Sequence, residues 1–152
     1  MIKVLFVCHG NICRSPMAEF IFKDIINKKS KSNNYEVKSF ATSYEEIGND
    51  IYPNAKDVLR RNGISYDKRE AKRITKKDYD DADMVLVMDE YNLYNLKRIV
   101  NDSFKIKMLG EFADLDEISD PWYTREFDLC YNEIKISCEK LFEYLEEQQI
   151  KK

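Results

Sequence analysis

Ile2-Lys3-Val4-Leu5-Phe6-Val7 runs straight into Cys8-His9-Gly10-Asn11-Ile12-Cys13-Arg14-Ser15-Pro16, and this stretch decides the fold. The first six residues form a nearly continuous apolar run with three β-branched side chains. Such a run predicts a strand buried on both faces, as in a parallel sheet. Ser15 as N-cap, Pro16 at the first helical position and Glu19 near the first turn predict a helix start. A buried strand, a short loop and a helix together make the opening half of a strand-helix-strand unit.

The rest of the chain repeats that alternation. Phe20, Ile21, Ile25 and Ile26 continue the helix, and the polar stretch 28–34 ends it. Residues 37–41 read as a second strand. Residues 53–62 read as a helix, with Ala55, Val58 and Leu59 inward and Gly63 as its stop. Residues 84–88 are a third buried strand ending at Asp89, 92–100 a helix, and 106–109 a fourth strand. Phe127, Tyr131, Ile134, Cys138, Leu141 and Leu145 recur at steps of three and four, which predicts a long amphipathic last helix. The expected fold is an α/β sandwich around a parallel sheet. Ligands of such sheets bind beyond the carboxyl ends of the strands, where the loop from Cys8 to Arg14 sits.

The 152 residues suit one domain, 1–152, with no linker or repeat. Lys and Arg total 25 against 28 Asp and Glu, a formal net charge of -3, which argues against a strongly basic nucleic-acid binder. His9 is the single histidine, so no zinc site can draw on two. Cys8, Cys13, Cys130 and Cys138 show no C-x2-C spacing, and no apolar run approaches membrane-spanning length. The apolar start is too short for a signal peptide. A soluble protein of the reducing cytoplasm is expected.

The loop has a specific chemistry. At a helix N-terminus, unpaired backbone N–H groups and the positive end of the helix dipole attract anions. Gly10 allows close backbone approach, and Arg14 offers a planar charged fork that matches two phosphate oxygens. The same positive surroundings favour a thiolate, the reactive form of cysteine, so the cradle that binds phosphate would also activate Cys8. Ser15 could donate a hydrogen bond to that sulfur. Cys130 and Cys138 lie in or beside the apolar stripe of the last helix and read as packing residues.

C-x5-R followed by Ser is the phosphate-binding signature of cysteine phosphatases. The fuller string from Val7 to Glu19, at the extreme N-terminus, resembles the low-molecular-weight protein tyrosine phosphatases, and the resemblance covers nearly the whole chain. It implies a three-layer α/β/α sandwich, flavodoxin-like, with a four-stranded parallel sheet in the order 2-1-3-4. It implies phosphate binding by the loop His9-Gly10-Asn11-Ile12-Cys13-Arg14-Ser15 and a phosphocysteine on Cys8. Asp120, in Asp120-Pro121-Trp122-Tyr123, matches the family's general acid, which then acts as base. Trp122 and Tyr123 match the aromatic wall of the substrate cleft, with Ile12 lining it. Ser39 matches the serine that helps Asn11 brace the loop, Asp89 a structural aspartate near it, and Cys13 the vicinal cysteine able to form a reversible disulfide with Cys8. The implied enzyme is a metal-independent, cofactor-free monomer. It acts on phosphotyrosine proteins, with inorganic phosphate or vanadate as competing ligands and with no nucleic-acid or membrane partner.

The chain departs from the family pattern in three places. The histidine that usually completes the Asn11 brace is missing from Lys68-Arg69-Glu70-Ala71-Lys72-Arg73. The aromatic residue usual at Glu45 is displaced to Tyr44, so either Tyr44 swings into the cleft or that wall is acidic and disfavours acidic phosphopeptides. His9 stands where relatives often carry an apolar residue, at the cleft mouth. Rival functions remain on the same scaffold. A protein-arginine phosphatase usually carries Thr where this chain has Ile12. An arsenate reductase needs two further cysteines mid-chain, and none lies between Cys13 and Cys130. A non-catalytic phosphate-binding module would have no need to keep Cys8, Arg14 and Asp120 together.

Overall fold

A computed structural model describes residues 1–151. Four strands form one parallel sheet: β1 (Ile2–Cys8), β2 (Tyr35–Ala41), β3 (Met84–Val87) and β4 (Ile106–Met108), in the order β2-β1-β3-β4. Cys8 pairs with Ala41 and Val7 with Val87, so the carboxyl ends of β2, β1 and β3 lie side by side. Six helices connect or flank them: α1 (Arg14–Lys28), α2 (Pro53–Arg61), α3 (Lys76–Asp81), α4 (Glu90–Val100), α5 (Pro121–Thr124) and α6 (Phe127–Lys151).

The apolar run of β1 is buried on both faces, and its alternation sorts two cores. Val4, Phe6 and Cys8 join the core that contains Ile21 of α1, Leu59 of α2 and Ile134 of α6. Leu5 and Val7 join the opposite core with Tyr79 of α3 and Leu96 of α4. The helical stripe on α6 is buried as its spacing requires, from Phe127 to Leu145.

One local reading needs correction, and two short helices lay outside the expected elements. Ser15 is not the N-cap of α1. The helix begins at Arg14 with Cys13 as N-cap, because the last turn of the loop is already helical and the Ser15 hydroxyl is drawn inward toward Cys8. Helix α3 was absent from the sequence reading although it has a local signal. Thr75 accepts from the Asp78 N–H while the Asp78 carboxylate accepts from the Thr75 N–H, a capping box. The single turn of α5 is started by Asp120, whose Oδ1 accepts from the Trp122 N–H at 3.0 Å, with Pro121 at its first position.

Candidate active site

The loop between β1 and α1 is held from outside by its carbonyls. Thr42 N–H donates to the Cys8 carbonyl at 3.0 Å, Ser43 N–H to that of His9 at 3.1 Å, and Tyr52 N–H to that of Ile12 at 2.9 Å. With the carbonyls turned outward, the N–H groups turn inward. Those of Asn11 and Ser15 reach Cys8 Sγ at 3.4 Å each. Those of Gly10, Ile12 and Cys13 donate to no protein acceptor among the described residues. They surround an open cavity of about 110 Å³ whose floor is Cys8.

The turn depends on Asn11, which is fully buried and adopts the left-handed conformation, φ 61°. Asparagine enters that region more readily than most residues. Its side chain is locked by partners on both ends. Nδ2 donates to Ser15 Oγ at 2.7 Å and to Ser39 Oγ at 3.0 Å, and Ser39 in turn donates to Glu19 Oε1 at 2.6 Å. Because Ser15 Oγ accepts from Asn11, its own proton is free for Cys8 Sγ, 3.1 Å away, or the Phe40 carbonyl at 3.5 Å.

The missing histidine is replaced by a residue that sequence reading did not single out. Arg69 Nη2 donates to the Asn11 carbonyl at 2.7 Å and also to Asn11 Oδ1. Lys72 N–H adds a longer bond to the same Oδ1 at 3.3 Å. Burial pushes the Arg69 pKa down, opposed by Glu19, Asp50 and Cys8, yet a guanidinium stays charged in any such setting. The one available sequence signal was a cation in the segment where relatives carry their histidine.

Arg14 is almost wholly buried, and three acceptors fix its fork. Nη1 donates to Asp89 Oδ2 at 2.7 Å and to the Ile118 carbonyl at 2.8 Å, while Nη2 faces Asp120 Oδ2 at 3.4 Å. Burial alone would lower its pKa, but Cys8, Asp120 and Asp89 outweigh burial and push it up. Asp89 caps α4 with its other oxygen, accepting from Asn92 N–H at 2.8 Å, so one carboxylate ties the arginine to the end of β3. Cys13 also lines the cavity, with its thiol pushed up chiefly by burial, then by Cys8 and Asp120.

Two walls rise above the cradle. One is Asp120, Trp122 and Tyr123, with Trp122 set edge-on to Tyr52 at 4.9 Å between ring centroids. The other is Glu45 and Glu46. Tyr44 is therefore corrected out of the cleft. Its ring is exposed and lies under the Arg73 guanidinium at 4.4 Å, a pairing that holds it away from the cavity. His9 stands at the mouth, with Nε2 2.8 Å from Glu45 Oε2 and its ring against Tyr91. The other residues expected at the site line the cavity, with three exceptions. Asn11, Ser15 and Ser39 act from behind the loop rather than from the cavity wall. A cysteine sulfur, inward amides, a buried guanidinium and a carboxylate converging on one small cavity can hold a tetrahedral oxyanion and exchange a proton with it.

Comparison with known proteins agrees with this geometry. A model of the family described as low molecular weight phosphotyrosine protein phosphatase matches residues 3–151. The chain is 37% identical to the low molecular weight protein-tyrosine-phosphatase YfkJ of Bacillus subtilis, covering 98% of this chain and 99% of that protein. The crystal structure of YfkJ superposes with a TM-score of 0.94 over 97% of this chain and 96% of that one. The low molecular weight phosphotyrosine protein phosphatase of Homo sapiens is 38% identical, covering 93% and 94% of the two chains. A Drosophila arginine phosphatase is 28% identical with a TM-score of 0.88, over 95% of this chain and 98% of that one.

Proposed function

The chain belongs to the low molecular weight phosphotyrosine protein phosphatase family, and from that premise we propose that it hydrolyses phosphotyrosine in proteins through a phosphocysteine on Cys8. The observation that carries this reading is the convergence of the Cys8 sulfur, Arg14 and Asp120 on one cavity. In the proposed sequence the loop amides and Arg14 Nη2 bind the three terminal phosphate oxygens. Cys8 Sγ attacks phosphorus as the bond to the phenolic oxygen breaks. Asp120 hands its proton to the leaving oxygen. The resulting Asp120 carboxylate then takes a proton from water, whose oxygen attacks phosphorus. The phosphorus–sulfur bond breaks, inorganic phosphate leaves, and the thiolate returns. Asn11 N–H and Ser15 N–H point toward Cys8 Sγ, and the Ser15 hydroxyl, 3.1 Å away, would turn to donate as well, so that all three stabilise the sulfur each time it carries negative charge.

The other assignments belong to the same proposal. The protein works as one domain over 1–152, in the cytoplasm, as a monomer competed by phosphate or vanadate. Among the described residues no helix is long and apolar enough to cross a membrane. Ile12 lines the cavity and favours a phenyl ring over a phosphorylated guanidinium. Cys13 is the redox partner of Cys8, slow to attack because burial keeps it protonated.

A side-by-side turnover assay on phosphotyrosine and phosphoarginine peptides tests the reading, with Cys8→Ser as control. Preference for phosphotyrosine, lost by more than about 10³-fold in Cys8→Ser while vanadate still binds, is expected. Preference for phosphoarginine, or a Cys8→Ser enzyme within tenfold of the wild type, would overturn it.

A further inference from the structure

The wall formed by Glu45 and Glu46 carries a charge balance that the phosphate chemistry does not use. Glu45 Oε2 lies 2.8 Å from His9 Nε2 and shares a hydrogen bond with it. Glu46 has no Lys, Arg or His partner among the described residues. Its Oε2 accepts from Asn49 Nδ2 at 2.6 Å, which orients the carboxylate without neutralising it. Its stem is pressed against the phosphate loop, because a β-carbon on Gly10 would stand 3.3 Å from Glu46 Cγ. The missing side chain at Gly10 therefore lets an unpaired carboxylate rest at the mouth of the site.

The cations nearby are already engaged. Arg14 faces Asp89 and Asp120. Arg125 is held over the rings of Tyr52, Trp122 and Phe127, donates to Tyr52 Oη at 3.0 Å, and does not line the cavity. The same cavity is lined by Trp122, whose ring Arg125 already overlies, and by Tyr123, 79% exposed. An unpaired carboxylate lining the same cavity as the exposed Tyr123 ring is a surface suited to an ammonium or guanidinium group.

We propose that this rim selects substrates carrying Lys or Arg beside the phosphorylated tyrosine, with Glu46 as the specificity-determining residue. The proposal rests on the phosphotyrosine reading above and goes beyond it. A carboxylate at contact distance from a flanking cation, in solvent, changes the rate constant for productive capture by about threefold to fivefold. Between a basic and an acidic flank the contrast becomes roughly tenfold.

The test measures kcat/KM for phosphotyrosine peptides of one length with lysine, alanine or glutamate on both sides of the phosphotyrosine. p-Nitrophenyl phosphate, which has no flanks, is run alongside on the wild type. The variants are Glu46→Gln and, as a control for net charge, Glu143→Gln on the exposed face of α6. The wild type is expected to favour the lysine peptide over the glutamate peptide by roughly tenfold. Glu46→Gln should cut that ratio about threefold, and Glu143→Gln should leave it unchanged. Reading the ratio within each enzyme removes any general loss of activity. A wild-type ratio near one, a ratio unmoved by Glu46→Gln, or an equal drop in Glu143→Gln would overturn the proposal while p-nitrophenyl phosphate and alanine-peptide turnover kept the phosphatase reading intact. No turnover of p-nitrophenyl phosphate or of any peptide would overturn both.

Discussion

The guanidinium of Arg69 holds both oxygens of Asn11, the main-chain carbonyl at 2.7 Å and the side-chain Oδ1 through the same nitrogen. This one cation fixes the left-handed turn and the orientation of the Asn11 amide. The amide then donates to Ser15 Oγ and holds that oxygen 3.1 Å from Cys8 Sγ. A residue that does not line the cavity thereby controls the geometry around the sulfur.

Arg69→Ala should lower kcat/KM for p-nitrophenyl phosphate by about 10–10²-fold, the usual cost of loosening a reactive constellation by a fraction of an ångström to an ångström. It should also lower Tm by about 5 °C, because a buried Asn11 loses charge-assisted bonds. Arg69→His should recover part of the activity, since an imidazole can donate to the same Oδ1. Unchanged kcat/KM and an unchanged pH profile alongside a lowered Tm would reduce Arg69 to a structural residue.

Asp120→Asn keeps the cap on α5 but cannot transfer a proton. Aryl phosphates with poor leaving groups should slow by about 10²–10⁴-fold, and those with good leaving groups by much less. A plot of log kcat against leaving-group pKa should steepen in the variant. Equal slowing across the series would remove Asp120 from the acid role.

Glu133 on α6 is an acid that the fold prefers neutral. Burial pushes its pKa up, Glu126 adds to the shift, and Oε1 is buried without a hydrogen-bond partner. With the folded pKa above the unfolded one, the stabilising contribution is complete below the ordinary carboxylate pKa. It is lost as pH rises through the raised value. Glu133→Gln should therefore raise Tm at pH 7 and leave it nearly unchanged at pH 4, measured by thermal unfolding at both. An equal shift at the two pH values would dismiss the titration as the cause.

Much of the molecule is encoded in neighbouring residues. The apolar run of β1, the turn residues from Cys8 to Arg14 and the stripe on α6 determine their own conformation. Strand burial, turn geometry and helical periodicity each depend on side chains a few residues apart. The same locality makes the cradle legible, because the strand end, the amides, Cys8 and Arg14 lie within one short segment. The Thr75 and Asp78 box that starts α3 was equally local and could have been read.

The rest was decided by sheet order and by contacts between distant segments. Ser15 looked like an N-cap until the fold offered its hydroxyl a buried sulfur. Arg69 meets Asn11 across 58 residues, and Arg14 meets Asp89 across 75. Tyr44 is drawn out by Arg73, and that leaves Glu45 and Glu46 to form the wall. No periodicity encodes such pairings. A long side chain has several reachable partners, and its choice is set by which strands lie side by side and which charges are left unmatched when they do.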